Sequence, residues 1–226
     1  MISKQYRYEM HLHTKEFGWC AHVWAKDIVD TYVREGYDGI CVTNHYFSEG
    51  MDSLPGVTWE EKVESWLDGY KAATKQAEKY PGFDVILGVE IRIDEGYEDF
   101  LIYGVTRDLL VSNPQIFHYK LKELFDFCDR NNLLLYQAHP FRKWLNLRDT
   151  KYLHGLEVYN GNPRHDSHNE RALEVAQQYN MLMIAGSDYH EIGDEASAAM
   201  VFDFKINDSR QMADALRRGS GKIWKV

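Results

Sequence analysis

Residues 25–45 read AKDIVDTYVREGYDGICVTNH, and this stretch contains the unit that predicts the fold. Apolar side chains recur at helical spacing over residues 25–35, and Gly36 and Gly39 flank a turn. An apolar run of strand length follows over residues 39–45 and ends on His45. A helix followed by a short buried strand is the repeating unit of an α/β protein with a mostly parallel sheet.

The same alternation of strand and helix patterns continues along the rest of the chain. Further strands are predicted over residues 8–14, 84–93, 100–105, 133–139, 155–160, 181–188 and 199–204. Further helices are predicted over residues 59–80, 115–131, 169–179 and 209–218. No linker of low complexity and no internal repeat interrupts this order, so we expect a single domain over residues 1–226, a length that α/β barrels reach.

Composition narrows the class of protein. Hydrophobic residues make up 44% of the chain, which is enough apolar surface for a sizeable core. The three cysteines, Cys20, Cys41 and Cys128, form no CxxC pair, so the sequence indicates neither a disulfide framework nor a thiolate zinc site. No stretch resembles a signal peptide or reaches the roughly 20 apolar residues of a membrane span. We therefore expect a soluble cytoplasmic protein that does not bind membranes.

The charge of the chain bears on its partners. The formal net charge is −9, and binding to long nucleic acid requires basic surface that displaces counterions. Long nucleic acid is therefore disfavoured as a partner. A small anionic substrate is compatible with this charge if bound metal offsets it locally.

The segment Met10-His11-Leu12-His13-Thr14 ends the first predicted strand. Because side chains alternate along a strand, His11 and His13 point to the same face, and both imidazoles can reach one metal ion. Taken alone, an HxH pair also fits a structural strand that is half buried. The ends of the other strands favour the metal site.

Residues of metal-ligand type stand at or just beyond the ends of other predicted strands. These residues are His45, Glu90, His139, Asp188 and His190. Strand ends converge on one rim of an α/β barrel, so residues far apart in sequence are expected to meet there. Imidazole nitrogen and carboxylate oxygen together suit zinc, manganese or iron, and the sequence therefore predicts a metal centre.

In their order along the chain, these motifs resemble those of the PHP family, named for polymerase and histidinol phosphatase. The matching segments are HLHT at 11–14, TNHY at 43–46, GVE at 88–90, AHP at 138–140, GLEVYNG at 155–161 and GSDYH at 186–190. The resemblance runs through nearly the whole chain. It implies a distorted (β/α)7 TIM-like barrel, two or three divalent metal ions and hydrolysis of phosphate esters.

The resemblance also distributes the ligands over the metal ions. For the first ion it implies His11, His13, Glu90 and Asp188. For the second it implies Glu90, as a bridge, and His139. For the third it implies His45, His190 and His22, although a surface histidine in a loop is the alternative for His22.

Three positions bear on how well this chain fits the family pattern. Asn44 stands where most relatives have an aspartate, and its missing charge is expected either to weaken support of the neighbouring ligand or to alter the metal preference. Asp99 stands near a position where many relatives have a histidine, and it is a candidate substitute at the second metal. Glu157 alternates with apolar residues, which fits either a carboxylate that orders a ligand histidine or a structural one.

Sequence and resemblance together predict a metal-dependent phosphoric ester hydrolase in which a metal-activated water attacks phosphorus, with Glu90 and Asp188 in the catalytic centre. Two metal ions roughly 3.5–4 Å apart can share a water and clamp the attacking and leaving oxygens. Arg142 and Arg164 are the candidate cations for the phosphate, because guanidinium matches its oxygens with two parallel hydrogen bonds. For each arginine, a surface ion pair is the alternative.

Three functions fit these predictions. The first is hydrolysis of a small phosphomonoester, such as histidinol phosphate or a similar metabolite. The second is a phosphodiesterase or exonuclease acting on nucleotides or short oligonucleotides. The third is a metal-binding regulatory domain without catalysis, which the altered positions Asn44 and Asp99 suggest.

Overall fold

A barrel-shaped sheet forms the centre of the protein. The structure is a computed structural model that describes residues 4–18 and 20–226. Its strands are β1 (Tyr6–Leu12), β2 (Gly39–Val42), β3 (His45–Tyr46), β4 (Asp84–Arg92), β5 (Asp99–Tyr103), β6 (Leu134–Gln137), β7 (Gly155–Asn160), β8 (Leu182–Gly186), β9 (Ala198–Phe202) and β10 (Lys222–Lys225). Their spatial order is β10-β9-β1-β2-β4-β5-β6-β7-β8, and β3 pairs with β4.

The barrel closes where the end of β1 meets the segment after β8. Leu12 and Tyr189 form a parallel bridge, and the backbone N–H of His13 donates to the carbonyl of Tyr189 at 2.9 Å. At the other end of β1, β9 pairs antiparallel with Tyr6–Tyr8. Seven strands, β1, β2, β4, β5, β6, β7 and β8, therefore wrap into a nearly closed barrel, which confirms the distorted barrel implied by the resemblance.

One barrel strand runs against its neighbours. β5 is antiparallel to both β4 and β6, whereas β1, β2 and β4 are parallel to one another. Only residues 93–98 join β4 to β5, and a parallel crossover needs about a dozen residues or more. The short connection therefore forces β5 to reverse, and the sheet is mixed.

Helices cover the outside of the sheet. They are α1 (Ala25–Arg34), α2 (Ser48–Ser53), α3 (Trp59–Trp66), α4 (Asp68–Ala77), α5 (Arg107–Ser112), α6 (Leu121–Arg130), α7 (Asn169–Gln178) and α8 (Ser209–Arg217). The helix predicted over 59–80 is two helices, α3 and α4, that meet at Leu67. The short α2, α5, β3 and β10 were not predicted, because so few residues show no period. None of the helices in the described ranges is long and apolar enough to cross a membrane.

Alternation along β1 separates site residues from the core. Met10 and Leu12 are fully buried in two apolar clusters, the first of which includes Met212 on α8. His11 and His13 take the other positions and are also buried. The core thus fixes the strand that presents the histidines.

Candidate metal centre

Two histidines at the end of β1 form one side of the site. His11 is 0% exposed and His13 is 1% exposed, and their Nε2 atoms lie 3.2 Å apart. Alternation along the strand brings both rings to the same face, as the HxH spacing predicts. Two imidazole nitrogens at this separation can point at one ion.

Glu90 on β4 stands in the middle of the histidines and is fully buried. Its Oε1 lies 3.2 Å from Nε2 of His11 and 3.2 Å from Nε2 of His139. Its Oε2 lies 3.1 Å from Nε2 of His13 and 2.9 Å from Nδ1 of His45. A carboxylate whose oxygens face two different pairs of histidines would bridge two metal ions if both bound here.

The segment after β8 completes the centre. Asp188 Oδ1 lies 3.4 Å from His11 Nε2 and 3.6 Å from His13 Nε2, and His190 Nδ1 lies 3.4 Å from the same oxygen. Asp188 has φ +53° and His139 has φ +29°. Non-glycine residues rarely adopt such values, and strained backbone of this kind concentrates at functional sites.

The ligand atoms form four overlapping groups in the described part of the chain, and within each group they lie within 4.8 Å of one another. The groups are His11, Glu90 and His139; His11, His13 and Asp188; His13, Cys20, His45 and His190; and His45, Glu90 and Asp99. Seven of the eight predicted ligands thus come together, and His22 is the one outside these groups.

Unpaired polar atoms show that these residues fit metal ions. Of the buried side-chain atoms without a hydrogen-bond partner in the described residues, four belong to the candidate ligands: His13 Nδ1, His45 Nδ1, Glu90 Oε2 and His139 Nδ1. Buried polar groups normally have partners. The nitrogen of His45 is close to Glu90 Oε2 but is not oriented for a hydrogen bond. This short contact without a hydrogen bond fits two atoms that face a common cation.

The buried charges change the pKa values of the ligands. Burial would raise the pKa of Glu90 and of Asp188, but His11 and the other neighbouring cationic side chains together outweigh it and hold both pKa values well below the ordinary range. Burial, followed by the neighbouring His13, lowers the pKa of His190 to about 3. The carboxylates therefore stay ionised and His190 stays neutral, which are the forms that bind metal.

Glu157 on β7 orients two of the ligands. Its Oε1 lies 2.9 Å from Nδ1 of His11, and its Oε2 accepts hydrogen bonds from the backbone N–H of His139 at 2.8 Å and from Asn160 Nδ2 at 2.9 Å. With Nδ1 bound to Glu157, the lone pair of His11 Nε2 faces Glu90. Of the two roles that the sequence left open, Glu157 therefore has the first: it orders a ligand histidine.

Glu9 is a supporting residue that the sequence reasoning missed. Its Oε1 accepts from the backbone N–H groups of Met10 and His11, both at 2.8 Å, and of Ser187 at 2.9 Å. Its Oε2 accepts from the hydroxyls of Tyr32, at 2.8 Å, and Ser187. Glu9 thus joins β1 to the segment that follows β8. A charged residue inside an apolar strand, two positions before a ligand, was the available signal.

The two departures from the family pattern have defined partners. Asn44 Oδ1 accepts from the backbone N–H of Thr14 at 2.8 Å, and its Nδ2 donates to Thr14 Oγ1 at 3.0 Å, so the amide links the segments after β1 and β2. Asp99 lies near His45 and Glu90, but both its oxygens accept from Arg92, at 2.9 and 3.0 Å. Its role as a substitute ligand stays a prediction.

The segment after β1 places a different residue in the site from the one predicted. The side chain of His22 is exposed, and its backbone N–H donates to the carbonyl of His190 at 2.8 Å. Cys20 instead groups with His45 and His190, although its spacing in the sequence indicates no thiolate site. The assignment of His22 to a third metal stays a prediction.

A cavity of about 520 Å³ opens over the ligands, and both predicted arginines line it. Arg142 Nη2 donates to Asp188 Oδ2 at 2.6 Å and to Asn160 Oδ1 at 3.0 Å. Arg164 donates to the buried Asp194 through Nη2 at 2.6 Å and Nε at 3.1 Å. Arg142 therefore contacts the metal centre directly, whereas Arg164 is held by a structural carboxylate.

Two exposed aromatic rings also line this cavity, and sequence reasoning did not single them out. Tyr97 is 80% exposed and Trp144 is 82% exposed. Trp144 has φ +74° and lies between Lys143 and Leu145, which line the cavity as well. Exposed rings of this size are available to contact a ligand.

Comparisons of sequence find matches to parts of the chain. Residues 166–220, which include Asp188 and His190, match a family described as PHP-associated. An uncharacterised protein of Methanocaldococcus jannaschii is 34% identical over 95 residues. That match covers 36% of this chain and 39% of the relative, well under half of either.

Comparisons of structure match nearly the whole chain. A two-domain protein of Bacteroides vulgatus containing a predicted PHP-like metal-dependent phosphoesterase has a TM-score of 0.66 at 18% identity, over 98% of this chain and 65% of its own. A lesion-specific endonuclease of Pyrococcus furiosus has a TM-score of 0.65 at 13% identity, over 97% of this chain and 58% of its own. These likenesses show the fold, and this chain covers less than two thirds of either protein.

Proposed function

We propose that this chain is a metal-dependent phosphoesterase of the PHP family and that it hydrolyses a small phosphomonoester through a metal-activated water. One observation carries most of the weight. The two oxygens of Glu90 face separate pairs of histidines, with His11 and His139 at one oxygen and His13 and His45 at the other. This arrangement is suited to more than one metal ion around a single carboxylate.

The ligand groups suggest how two or three ions are held. The proposed ligands of the first ion are His11, His13 and Asp188, which form one group, and Glu90, which contacts both histidines. Those of the second are Glu90 and His139, and those of the third include His45 and His190. Mixed nitrogen and oxygen donors suit zinc, manganese or iron. When bound, such ions lower the pKa of a water and stabilise negative charge on phosphoryl oxygens.

The residues of the chain orient the substrate. Arg142 borders the cavity beside Asp188, where its guanidinium can turn from the carboxylate to the oxygens of a phosphate. Lys143 adds a second positive charge to the wall of the cavity. In our proposal Arg142 binds the phosphate, while Arg164 keeps the segment around Asp194 in place and acts only indirectly.

The test is hydrolysis of p-nitrophenyl phosphate by the wild-type protein and by the variant Glu90→Gln. We expect the variant to lose about 100-fold or more in kcat, because a central charge of the reacting site is removed. Glu60→Gln, which changes an exposed carboxylate on α3, is the matched control and should keep full activity. Chelation should abolish activity, and manganese, zinc or iron should restore it. Full turnover in Glu90→Gln would refute the proposal.

A second candidate function is hydrolysis of phosphodiesters in nucleotides or short oligonucleotides. The exposed rings of Tyr97 and Trp144 at the cavity favour it, because nucleobases stack on aromatic side chains. Comparing p-nitrophenyl phosphate with bis(p-nitrophenyl) phosphate separates the two functions. Faster turnover of the diester would favour the second. Tight metal binding without turnover of either ester would instead favour a regulatory domain.

A further inference from the structure

Cys20 lies among the ligands of the centre, although nothing in the spacing of the cysteines predicts a metal site. Its Sγ and one ligand atom each of His13, His45 and His190 all lie within 4.8 Å of one another. The residue is partly buried and belongs to the wall of the cavity over the metal centre. One thiol and three imidazoles therefore converge on one place.

The imidazole rings of the three histidines in this group pack close together. The ring of His13 lies 4.4 Å from the ring of His45 and 4.4 Å from the ring of His190, measured between centroids. Nδ1 of His13 and Nδ1 of His45 are buried, and neither has a hydrogen-bond partner in the part of the chain that the structure describes. Neither of these two nitrogens is occupied by a hydrogen bond, and the ligand atoms of the four residues lie close enough together to bind one cation.

The backbone explains why Cys20 rather than His22 turns inward. The N–H of His22 donates to the carbonyl of His190, which fastens this segment beside the end of the barrel. The side chain of His22 is exposed, whereas that of Cys20 faces the ligand group. The segment therefore presents sulfur to the site.

We propose that Cys20 is a ligand of the metal ion that His45 and His190 hold, and that it supplies a thiolate where the sequence predicts the imidazole of His22. The inference rests on the proposed metal centre and adds the chemistry of one of its ions. Thiolate and imidazole donors are typical of zinc, and they also suit ferrous iron and cobalt. Manganese prefers oxygen donors, so this ion should favour zinc over manganese.

Cobalt spectroscopy tests the ligand directly and does not depend on catalysis. The protein freed of metal is titrated with Co²⁺, and a thiolate ligand gives a sulfur-to-cobalt charge-transfer band in the near ultraviolet. We expect this band in the wild type, its complete loss in Cys20→Ser, and its retention in His22→Ala. In Cys20→His the band should vanish while the bound cobalt remains, because imidazole replaces the thiolate.

Thiol reactivity gives a second readout. Cys41 and Cys128 are fully buried, so Cys20 should be the thiol that reacts with a disulfide reagent in the native protein. Bound zinc should slow this reaction more than about tenfold, and chelation should restore it. Cys20→Ser should show no fast reaction in either state.

The outcomes separate the two proposals. A wild type that binds neither cobalt nor zinc would overturn both the proposed function and the role of Cys20. A wild type that binds cobalt without the sulfur band, or whose Cys20 reacts equally fast with and without zinc, would overturn the role of Cys20 alone. Retention of the band in Cys20→Ser would mean that another thiol supplies it, and would also overturn the role of Cys20. Loss of one bound cobalt in His22→Ala, with full cobalt binding in Cys20→Ser, would return the site to His22.

Discussion

At the scale of single residues, the buried carboxylates of the centre have different tasks. Glu90 presents both oxygens to histidine nitrogens, and its contacts are short without satisfying hydrogen-bond geometry at Oε2. Glu157 and Glu9 are fully hydrogen-bonded to neighbouring groups instead. A carboxylate with unpaired oxygen is suited to a metal, whereas one satisfied by N–H donors positions the backbone and the ligands.

Glu157→Ala should weaken metal binding. The variant removes the acceptor at His11 Nδ1, so the ring loses its fixed tautomer and orientation. We expect the affinity for zinc to fall about 10–100-fold, as is usual for partners of ligand histidines. Competition with a chromogenic chelator measures the change. In Glu157→Gln one oxygen remains for His11, so the loss should be smaller, and equal losses in the two variants would contradict this role.

Glu9→Ala should destabilise the protein. The variant leaves the N–H groups of Met10, His11 and Ser187 without their acceptor, and we expect a loss of about 3 kcal/mol or more in the free energy of unfolding. Glu9→Gln keeps one oxygen for these donors, and the hydroxyl of Tyr32 can turn to accept, so its loss should be about 1 kcal/mol or less. Urea unfolding in the presence of a chelator measures both, and equal losses would contradict the explanation.

At the scale of elements, α4 packs unusually closely against the segments that follow β1 and β2. A Cβ on Gly69 would lie 2.0 Å from Thr14 Oγ1 and 2.9 Å from Asn44 Nδ2. These are the two residues whose side chains hydrogen-bond to each other beside the ligands. The glycine therefore lets the helix approach the rim of the site. It is required because a larger side chain would collide with Thr14 and Asn44, and not because of its backbone conformation.

The sign of the stability change in Gly69→Ala should reveal this contact. On an open helix position, alanine would stabilise the protein by about 1 kcal/mol relative to glycine. Here the added methyl group must displace Thr14 or Asn44, so we expect destabilisation of about 1–3 kcal/mol. Urea unfolding measures the change, and a stabilised variant would show that the helix does not press on these residues.

The start of α3 offers a prediction that is independent of the site. Thr58 Oγ1 accepts from the N–H of Glu61, and the carboxylate of Glu61 accepts from the N–H of Thr58. Thr58→Ala should cost about 1 kcal/mol of stability, because one side of this capping box is removed. Thr58→Ser keeps the hydroxyl and should lose much less. Thermal unfolding measures both, and hydrolysis by either variant should be unchanged.

At the scale of the whole molecule, the barrel closes at the candidate metal centre itself. The backbone N–H of His13 donates to the carbonyl of Tyr189, and the N–H of Tyr189 donates to the carbonyl of His11, so these bonds join the end of β1 to the segment after β8. We call this junction between β1 and the segment after β8 the seam. Candidate ligands lie on both sides of it, with His11 and His13 on one side and Asp188 and His190 on the other. Metal ions held by these residues would bridge the first and last strands of the barrel.

Removal of metal should therefore loosen the seam and lower the melting temperature. A ligand that binds only the folded state at 100 times its dissociation constant adds about 2.7 kcal/mol, which corresponds to roughly 5–10 °C for a chain of this size. Differential scanning calorimetry with and without chelator measures the shift. Amide exchange at His13 and Tyr189 should accelerate on chelation, whereas that at Ile102, paired within β5 and β6, should not. Unchanged exchange at the seam would contradict the coupling.

The amino-acid sequence by itself determined the order of most strands and helices, and it identified most of the candidate metal ligands that the structure brings together. Strand alternation puts His11 and His13 on one face, and long helices such as α1 show their buried face as a period in the sequence. These features are local, because a few neighbouring residues and the geometry of one element are enough to set them.

Only the tertiary structure decided which polar residues meet at the site. It paired Glu157 with His11, brought Asp99 to Arg92, and turned Cys20 inward while His22 faces outward. It also brought the segment after β8 back to β1, which closes the barrel. Each of these contacts depends on how separate segments approach one another. The periodicity of the sequence within one element does not predict how the segments approach one another, because the packing of the whole barrel fixes it.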